Sequence, residues 1–259
     1  MAQIKSEGFI LKVVNWKENS RIFTFFTENA GRQSIIDRGG RSLKSKKGRL
    51  MTFTRMDLNY FKSEKTGTGY ISEADPLEIF SFEKEGTLGR LTFASTAMEI
   101  LYGLLPENEP MRSLYHLTIQ YFRLIDRVPR HSLYPTFIAY FIKLLSNLGY
   151  RPNFAGCIGC GKELDKTVQS FAFIPERGGI VCSACQMPGE YYIMLQPERL
   201  EKLYRLQTSS LAEAAAVELK LADAEMMVEL LVSFLKYQTE TKELKTLKFL
   251  EKLKQAVNK

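Results

Sequence analysis

The feature that most constrains this chain is two matched pairs of cysteines in one short segment. Cys157 and Cys160 are two residues apart, Cys182 and Cys185 repeat that spacing, and the chain has no other cysteine. A tetrahedral zinc site needs four soft ligands that converge on one point, each about 2.3 Å from the metal. Because two intervening residues let one tight turn present two sulfurs to the same ion, the spacing predicts that this segment folds around one zinc ion.

The residues between the two pairs predict how the pairs meet. Residues 170–175 are typical of a strand, Gly178-Gly179 can turn it, and Ile180-Val181 can return the second pair to the first, as in a zinc ribbon. Gly161 follows the first pair and permits the positive φ that such a turn often needs. Four cysteines complete a tetrahedron, so we expect a structural ion with no open coordination position. The alternatives are free structural thiols or a redox disulfide, but a second matched pair would then be unexplained.

The first eighty residues are rich in apolar and β-branched residues. Between Leu50 and Phe61 the apolar Met56, Leu58 and Tyr60 alternate with polar residues, which is the period of two of a strand with one buried face. The other strand candidates are residues 4–14, 21–27, 32–38 and 70–79. Five short strands fit a small barrel, either an OB-fold or an SH3-like barrel, and their pattern does not separate the two.

After residue 80 the apolar period changes to three and four residues, which indicates amphipathic helices. The helical segments begin near Leu88, Leu114, Phe137, Pro197, Ala224 and Leu244, and Gly149 stands where a helix C-cap belongs. We therefore predict an α+β multidomain protein. Residues 1–80 are predicted to form the barrel domain, residues 81–150 and 190–259 an α-helical domain, and residues 151–189 an inserted four-cysteine zinc module.

Basic residues are concentrated between the third and fourth predicted strands. The chain has a net charge of +7, and all but +1 of it comes from a stretch between residues 38 and 49 that contains no acidic residue. Such a local excess indicates a binding surface for a polyanion, although a solvated loop without function would look similar. The predicted DNA-binding residues are Arg38, Arg41, Lys44, Lys46, Lys47 and Arg49.

Several classes of protein find no support in the sequence. The chain has two histidines, no GxxxxGK[ST] phosphate loop, no GxSxG motif and no cluster of carboxylates suited to two-metal chemistry, so we predict a protein that is not an enzyme. It has no run of eighteen apolar residues and no apolar core of a signal peptide near Met1. We therefore expect a cytoplasmic, nucleoid-associated protein without a membrane partner.

Taken in order, several blocks of the chain resemble the RecO family of DNA repair proteins. The resemblance is carried by residues 18–22, 26–31 and 38–45 in the barrel region, by residues 148–152, 157–161 and 173–182 around the cysteines, and by residues 244–250. No single block is decisive, and their order along most of the chain carries the similarity.

The resemblance implies a recombination mediator with an N-terminal OB-fold. Such a protein binds single- and double-stranded DNA, anneals complementary strands, and assists recombinase loading on DNA coated by single-strand-binding protein. The partners implied are RecR and the C-terminal tail of the single-strand-binding protein. The alternative is a zinc-ribbon factor of transcription or translation that binds RNA or polymerase, and a third class is a nuclease or DNA-modifying enzyme whose carboxylates are not recognisable.

Overall fold

The structure is a computed structural model, and it describes residues 2–38, 50–63, 68–83, 87–163, 171–239, 244–246 and 248. Five strands form a closed barrel in the order β1-β2-β3-β5-β4. The strands are β1 (Ala2–Trp16), β2 (Ser20–Thr27), β3 (Gly31–Asp37), β4 (Thr54–Lys62) and β5 (Gly69–Ile79). The pairing of β3 with β5 is parallel, and every other pairing in the barrel is antiparallel. This order is that of an OB-fold, so the choice that the sequence left open is resolved in favour of the OB-fold.

The barrel core consists of the side chains that alternate inward along each strand. In β4 the predicted alternation is confirmed, because Met56, Leu58 and Tyr60 are buried while the residues between them are partly exposed. The rest of the core cluster comes from the other four strands: Ile10, Phe23, Phe25, Ile35, Ile71 and Ala74. Apolar burial of this kind drives barrel closure, at roughly 25 cal/mol per Å² of apolar surface.

The start of β4 differs from the prediction. The strand begins at Thr54 rather than at Leu50, because Phe53 has a φ of 58° and cannot continue an extended strand. Its ring packs edge-on against Phe82 at 5.3 Å, and its carbonyl accepts a hydrogen bond from the backbone of Phe80. The turn at Phe53 is thus held by the segment that follows β5.

The chain divides into two compact units. The first contains residues 1–83 and 94–119, and the second contains residues 84–93 and 120–259. Helices α1 (Thr87–Leu104) and α2 (Arg112–Arg127) each contribute residues to both units. The OB-fold, the helical region and the clustered cysteines confirm the predicted fold class, while the proposed three-part division at residues 80, 150 and 190 stays a prediction.

In the first unit, helical residues pack directly on the barrel. The Tyr115 ring stacks on Phe9 with 5.3 Å between ring centres and meets Phe26 edge-on at 5.5 Å. On the outer face of the barrel, Lys12 donates a hydrogen bond to the Tyr102 hydroxyl at 3.1 Å. Arg32 donates to the Tyr102 carbonyl at 2.8 Å. These contacts cover one end of the outer face of β1 to β3 with helix α1.

The second unit is built around one buried helix. Helix α3 (Leu133–Asn147) is buried along most of its length and packs against α4 (Pro197–Thr208), α5 (Leu211–Ala214) and α6 (Leu221–Gln238). The predicted cap after α3 is confirmed: Gly149 has a φ of 91°, and Tyr150 donates to the Leu145 carbonyl at 2.9 Å.

The predicted last helix falls mostly outside the described residues. Residues 245, 246 and 248 of this segment are described, and they are helical. Among the helices in the described part of the chain, none combines the length and apolarity needed to cross a membrane.

Candidate metal centre and nucleic-acid interface

The cysteine module is organised by a small three-stranded sheet. Its strands β6 (Phe171–Ile174), β7 (Gly179–Val181) and β8 (Ile193–Leu195) lie in the order β7-β6-β8, with antiparallel pairing. The predicted strand, glycine turn and return strand are therefore confirmed, and β8 was not predicted. The β6–β7 hairpin places Cys182 directly after β7.

Backbone hydrogen bonds attach the first cysteine pair to this hairpin. Ile158 donates to the Ile180 carbonyl at 2.9 Å, and Asn153 donates to the Gly178 carbonyl at 2.9 Å. The turn after Cys157 is closed by the backbone N–H of Gly161, which donates to the Cys157 carbonyl at 2.9 Å. Gly161 has a φ of 74°, as the spacing predicted. The two pairs are therefore held face to face by main-chain contacts.

The four cysteine sulfurs form one cluster. They all lie within 4.8 Å of one another, and Cys160 Sγ is 3.8 Å from Cys182 Sγ. Four sulfurs bound tetrahedrally at about 2.3 Å from one ion would be about 3.8 Å apart. Cys157 and Cys182 are buried, Cys185 is partly buried and Cys160 is exposed. The cluster can hold one metal ion, and its donor set is complete without further ligands.

The environment of the sulfurs favours a bound cation. Burial alone would raise the pKa of Cys157, but backbone N–H donors of Cys182, Cys160 and Gly159 outweigh burial and lower that pKa to about 6. One of these donors, the N–H of Cys182, lies 3.3 Å from Cys157 Sγ. Hydrogen bonds among the clustered side chains raise the pKa of Cys185 to about 12. Four sulfurs this close resist ionising together unless a cation shares their charge, so the residues fit a thiolate-bound metal.

Gly159 is the residue that lets the two pairs approach. A Cβ added at this position would lie 2.8 Å from Cys185 Cβ and 2.9 Å from Cys185 Sγ. No role was predicted for this glycine from the sequence. The sequence feature that indicates its role is its position inside the first C-x2-C turn, which the second cysteine pair must approach closely.

The predicted DNA-binding segment is described only at its start. Arg38 is exposed, and its guanidinium lies 4.2 Å from the centre of the Tyr70 ring. It follows Asp37, which ends β3 and pairs with Arg21 of β2. The other five residues predicted to bind DNA lie outside the described residues: Arg41, Lys44, Lys46, Lys47 and Arg49.

The structure separates core aromatics from exposed ones in the barrel. Four of the five aromatic side chains of β2 and β4 are buried, and the fifth, Phe61, is 38% exposed. The buried ones are Phe23, Phe25, Phe26 and Tyr60. Sequence reasoning missed Trp16, the only tryptophan of the chain, which is 37% exposed at the end of β1. The sequence feature that could have identified Trp16 is its position directly before the Lys17-Glu18-Asn19 turn.

Together, the closed barrel, the helical unit and the four-cysteine cluster define an OB-fold protein with a cysteine module that can hold a metal ion. A family model described as Recombination protein O N terminal matches residues 1–80, and one described as Recombination protein O C terminal matches residues 85–248. The chain belongs to the RecO family, whose role lies in DNA repair and recombination.

Curated relatives agree with this assignment. The chain is 28% identical to the DNA repair protein RecO of Symbiobacterium thermophilum over 257 residues, which cover 99% of this chain and 100% of the relative. It is 29% identical to the protein of the same name from Desulforamulus reducens, with 96% and 94% covered. It is 30% identical to that of Acetivibrio thermocellus, with 71% of each chain covered. The family is one of DNA repair mediators and not a known class of enzyme.

Proposed function

We propose that this protein is a recombination mediator that binds single- and double-stranded DNA and anneals complementary strands without an enzymatic step. It assists recombinase loading on DNA that is coated by single-strand-binding protein, and it works in the cytoplasm at the nucleoid. Membership in the RecO family supports this role over that of a zinc-ribbon factor of transcription or translation.

The observation that carries the proposal is where the basic segment leaves the barrel. It begins at the exposed Arg38, directly after β3, and the barrel is an OB-fold, an architecture that binds oligonucleotides. Phosphates are common to every sequence, so cations supplied by this segment hold DNA without reading bases. Arg38, Arg41, Lys44, Lys46, Lys47 and Arg49 are the proposed phosphate ligands.

The ion in the cysteine cluster is proposed to be one structural zinc. A set of four thiolates suits zinc, and a closed site leaves no position for water or substrate. Cys157, Cys160, Cys182 and Cys185 would hold the ion and keep the β6–β7 hairpin folded. The four cysteines would hold the ion through their positions and their negative charge, and the ion would take no part in a reaction.

The protein partners are proposed to be RecR and the acidic, hydrophobic C-terminal tail of single-strand-binding protein. On α2, Arg123 and Arg127 are exposed and suited to meet carboxylates of such a tail. Lys143 is less suited, because its ammonium donates to the Gln207 carbonyl at 2.9 Å and burial lowers its pKa. Arg112 donates to the Asn29 side chain at 2.9 Å. A fluorescent tail peptide should therefore bind at low salt and lose affinity with Arg123→Glu and Arg127→Glu.

The function is tested by annealing complementary oligonucleotides that have been coated with single-strand-binding protein. We expect the protein to accelerate annealing without nucleotide or added magnesium. Cleavage of DNA that depends on magnesium would indicate an enzyme instead, and binding restricted to structured RNA would indicate the zinc-ribbon alternative.

A further inference from the structure

The outer face of the barrel has an open end that carries aromatic side chains. Phe23 and Ile35 point into the core, so the ladder partners Val14, Ile22, Ile36 and Tyr70 form one row on the outer face of β1, β2, β3 and β5. Ile36 in the middle of this row is buried, whereas Val14 at its edge is 46% exposed. Helix α1 covers the other end of the face through Tyr102.

The next row on the same face carries the exposed tryptophan. Trp16 pairs with Ser20, and Arg38 continues that row because the preceding residue pair is Arg21 with Asp37. Trp16 and Tyr70 are thus separated by three strand spacings across the sheet and two residues along the strands, or about 16 Å. Two aromatic rings at this distance can contact different nucleotides of one strand.

Each of the two rings is paired with a cation. The Lys17 ammonium lies 4.4 Å from the centre of the Trp16 ring, and the Arg38 guanidinium lies 4.2 Å from the centre of the Tyr70 ring. Lys17 has a φ of 54°, a conformation that a lysine seldom adopts, and this turn keeps it beside Trp16. A ring with a neighbouring cation can hold a nucleotide by its base and its phosphate at once.

Charge favours a polyanion on this face. The described residues 12–22 and 36–38 place Lys12, Lys17 and Arg38 on or beside this face, whereas Arg21 pairs with Asp37 on the side that faces the core. Their acidic residues are Glu18, in the exposed turn, and Asp37, which is buried. The described part of this face is therefore basic. A neutral apolar occupant would leave the cations of the two pairs unused, and a purely acidic one would leave the rings uncovered.

We propose that Trp16, with Tyr70 as a second ring, stacks on unpaired bases and makes this face selective for single-stranded DNA. The inference rests on the proposed function and adds a contact that the phosphate-binding segment does not supply. In a duplex the faces of the bases are stacked on each other, so only a single strand offers them to a ring. Stacking also leaves the Watson–Crick edges of the bases uncovered, which an annealing protein requires.

The native protein contains its own probe for this contact. Trp16 is the only tryptophan, so the tryptophan emission of the full chain reports this residue alone. We expect oligo(dT) to quench the emission and to shield Trp16 from acrylamide, and a duplex of equal length and comparable occupancy to do neither. Binding is measured in parallel by the anisotropy of labelled DNA.

Variants separate stacking from general binding. Trp16→Ala should lower the affinity for oligo(dT) about tenfold, within the range for loss of one base–aromatic stack, and leave duplex affinity within about twofold. Trp16→Phe keeps a ring and should retain most of the affinity. Tyr192→Ala, which removes a tyrosine that is 47% exposed in the second unit, is the matched control and should bind like the wild type.

The outcomes distinguish this inference from the proposed function. If the wild type binds no DNA by anisotropy, the proposed function fails. If it binds oligo(dT) fully while Trp16 emission and shielding stay unchanged, only the stacking assignment is overturned. An equal loss of single-strand and duplex affinity in Trp16→Ala would also overturn it, as would an emission change caused by a protein partner but never by oligo(dT).

Discussion

Arg38 and Tyr70 join the end of β3 to the start of β5, with the guanidinium 4.2 Å from the ring centre. These two strands form the parallel pair that distinguishes the barrel order, through Ile35 with Gly69 and Ile36 with Tyr70. The first cation of the basic segment is consequently anchored on the barrel wall. The proposed phosphate-binding segment therefore starts from a fixed point on the barrel.

The metal centre should hold about one zinc per chain, the stoichiometry of a site closed by four cysteines. Cys157→Ser removes a buried ligand and should lose the ion and lower the melting temperature seen by far-UV circular dichroism. The Trp16 emission should melt as in the wild type, because Trp16 belongs to the barrel unit. Ser183→Ala, in the same module, is the control and should keep the zinc. Zinc-free protein with intact thiols and unchanged melting would contradict the assignment.

Gly159→Ala tests how closely the two cysteine pairs must approach. The added methyl would lie 2.9 Å from Cys185 Sγ, so we expect the variant to release zinc to a chelator faster than the wild type. Gly189→Ala is a matched comparison, because this glycine has a φ of 83° and open space around its Cβ position. It should cost about 1–2 kcal/mol of folding free energy through backbone strain and leave zinc retention unchanged. Equal zinc retention in both variants would show that the contact at Gly159 is unimportant.

The burial of Tyr60 predicts that the folded protein loses stability at alkaline pH. Burial raises the pKa of its hydroxyl to about 12 in the folded barrel, against about 10 in the unfolded chain. The unfolded chain therefore releases this proton first, and the free energy of unfolding falls between pH 10 and pH 12, by about 2–3 kcal/mol for this group. Below pH 10 the Tyr60 hydroxyl is protonated in both the folded and the unfolded state, so its contribution to the free energy of unfolding is fully present.

Tyr60→Phe isolates this effect. The Tyr60 hydroxyl is buried and has no hydrogen-bond partner in the described part of the chain, so the variant should match the wild type within about 1 kcal/mol at pH 8. Urea unfolding followed by Trp16 emission at pH 8 and pH 11 should show a smaller alkaline loss in the variant. An identical loss in both proteins would mean that burial does not raise the pKa of Tyr60 in the folded barrel.

The features that the sequence predicted well are those set by local spacing. The alternation of Met56, Leu58 and Tyr60 and the C-x2-C pairs each depend on neighbours within a few residues. The parallel pairing of β3 with β5 joins residues more than thirty positions apart and has no local signal, so OB-fold and SH3-like barrels looked alike. The late start of β4 depends on the packing of Phe53 against Phe82, which is a tertiary contact. The exposure of Trp16 depends on which part of the barrel helix α1 covers, which is also a tertiary effect.

The salt dependence of single-stranded DNA binding tests whether the basic segment, which begins at Arg38, is the phosphate-binding surface. If four of its six cations contact phosphates, the slope of log K against log salt should be about −3 for the wild type, at about −0.7 per phosphate. The variant Arg38→Glu, Arg41→Glu, Lys44→Glu, Lys46→Glu should bind all sequences more weakly and with a flatter slope, with unchanged far-UV circular dichroism. Its matched control makes the same change of net charge at four exposed residues of the second unit, Arg130, Arg205, Lys220 and Lys236, and should keep a slope close to that of the wild type. A quadruple variant of the basic segment that binds and anneals DNA like the wild type at moderate salt would place the phosphate contacts elsewhere and contradict this assignment.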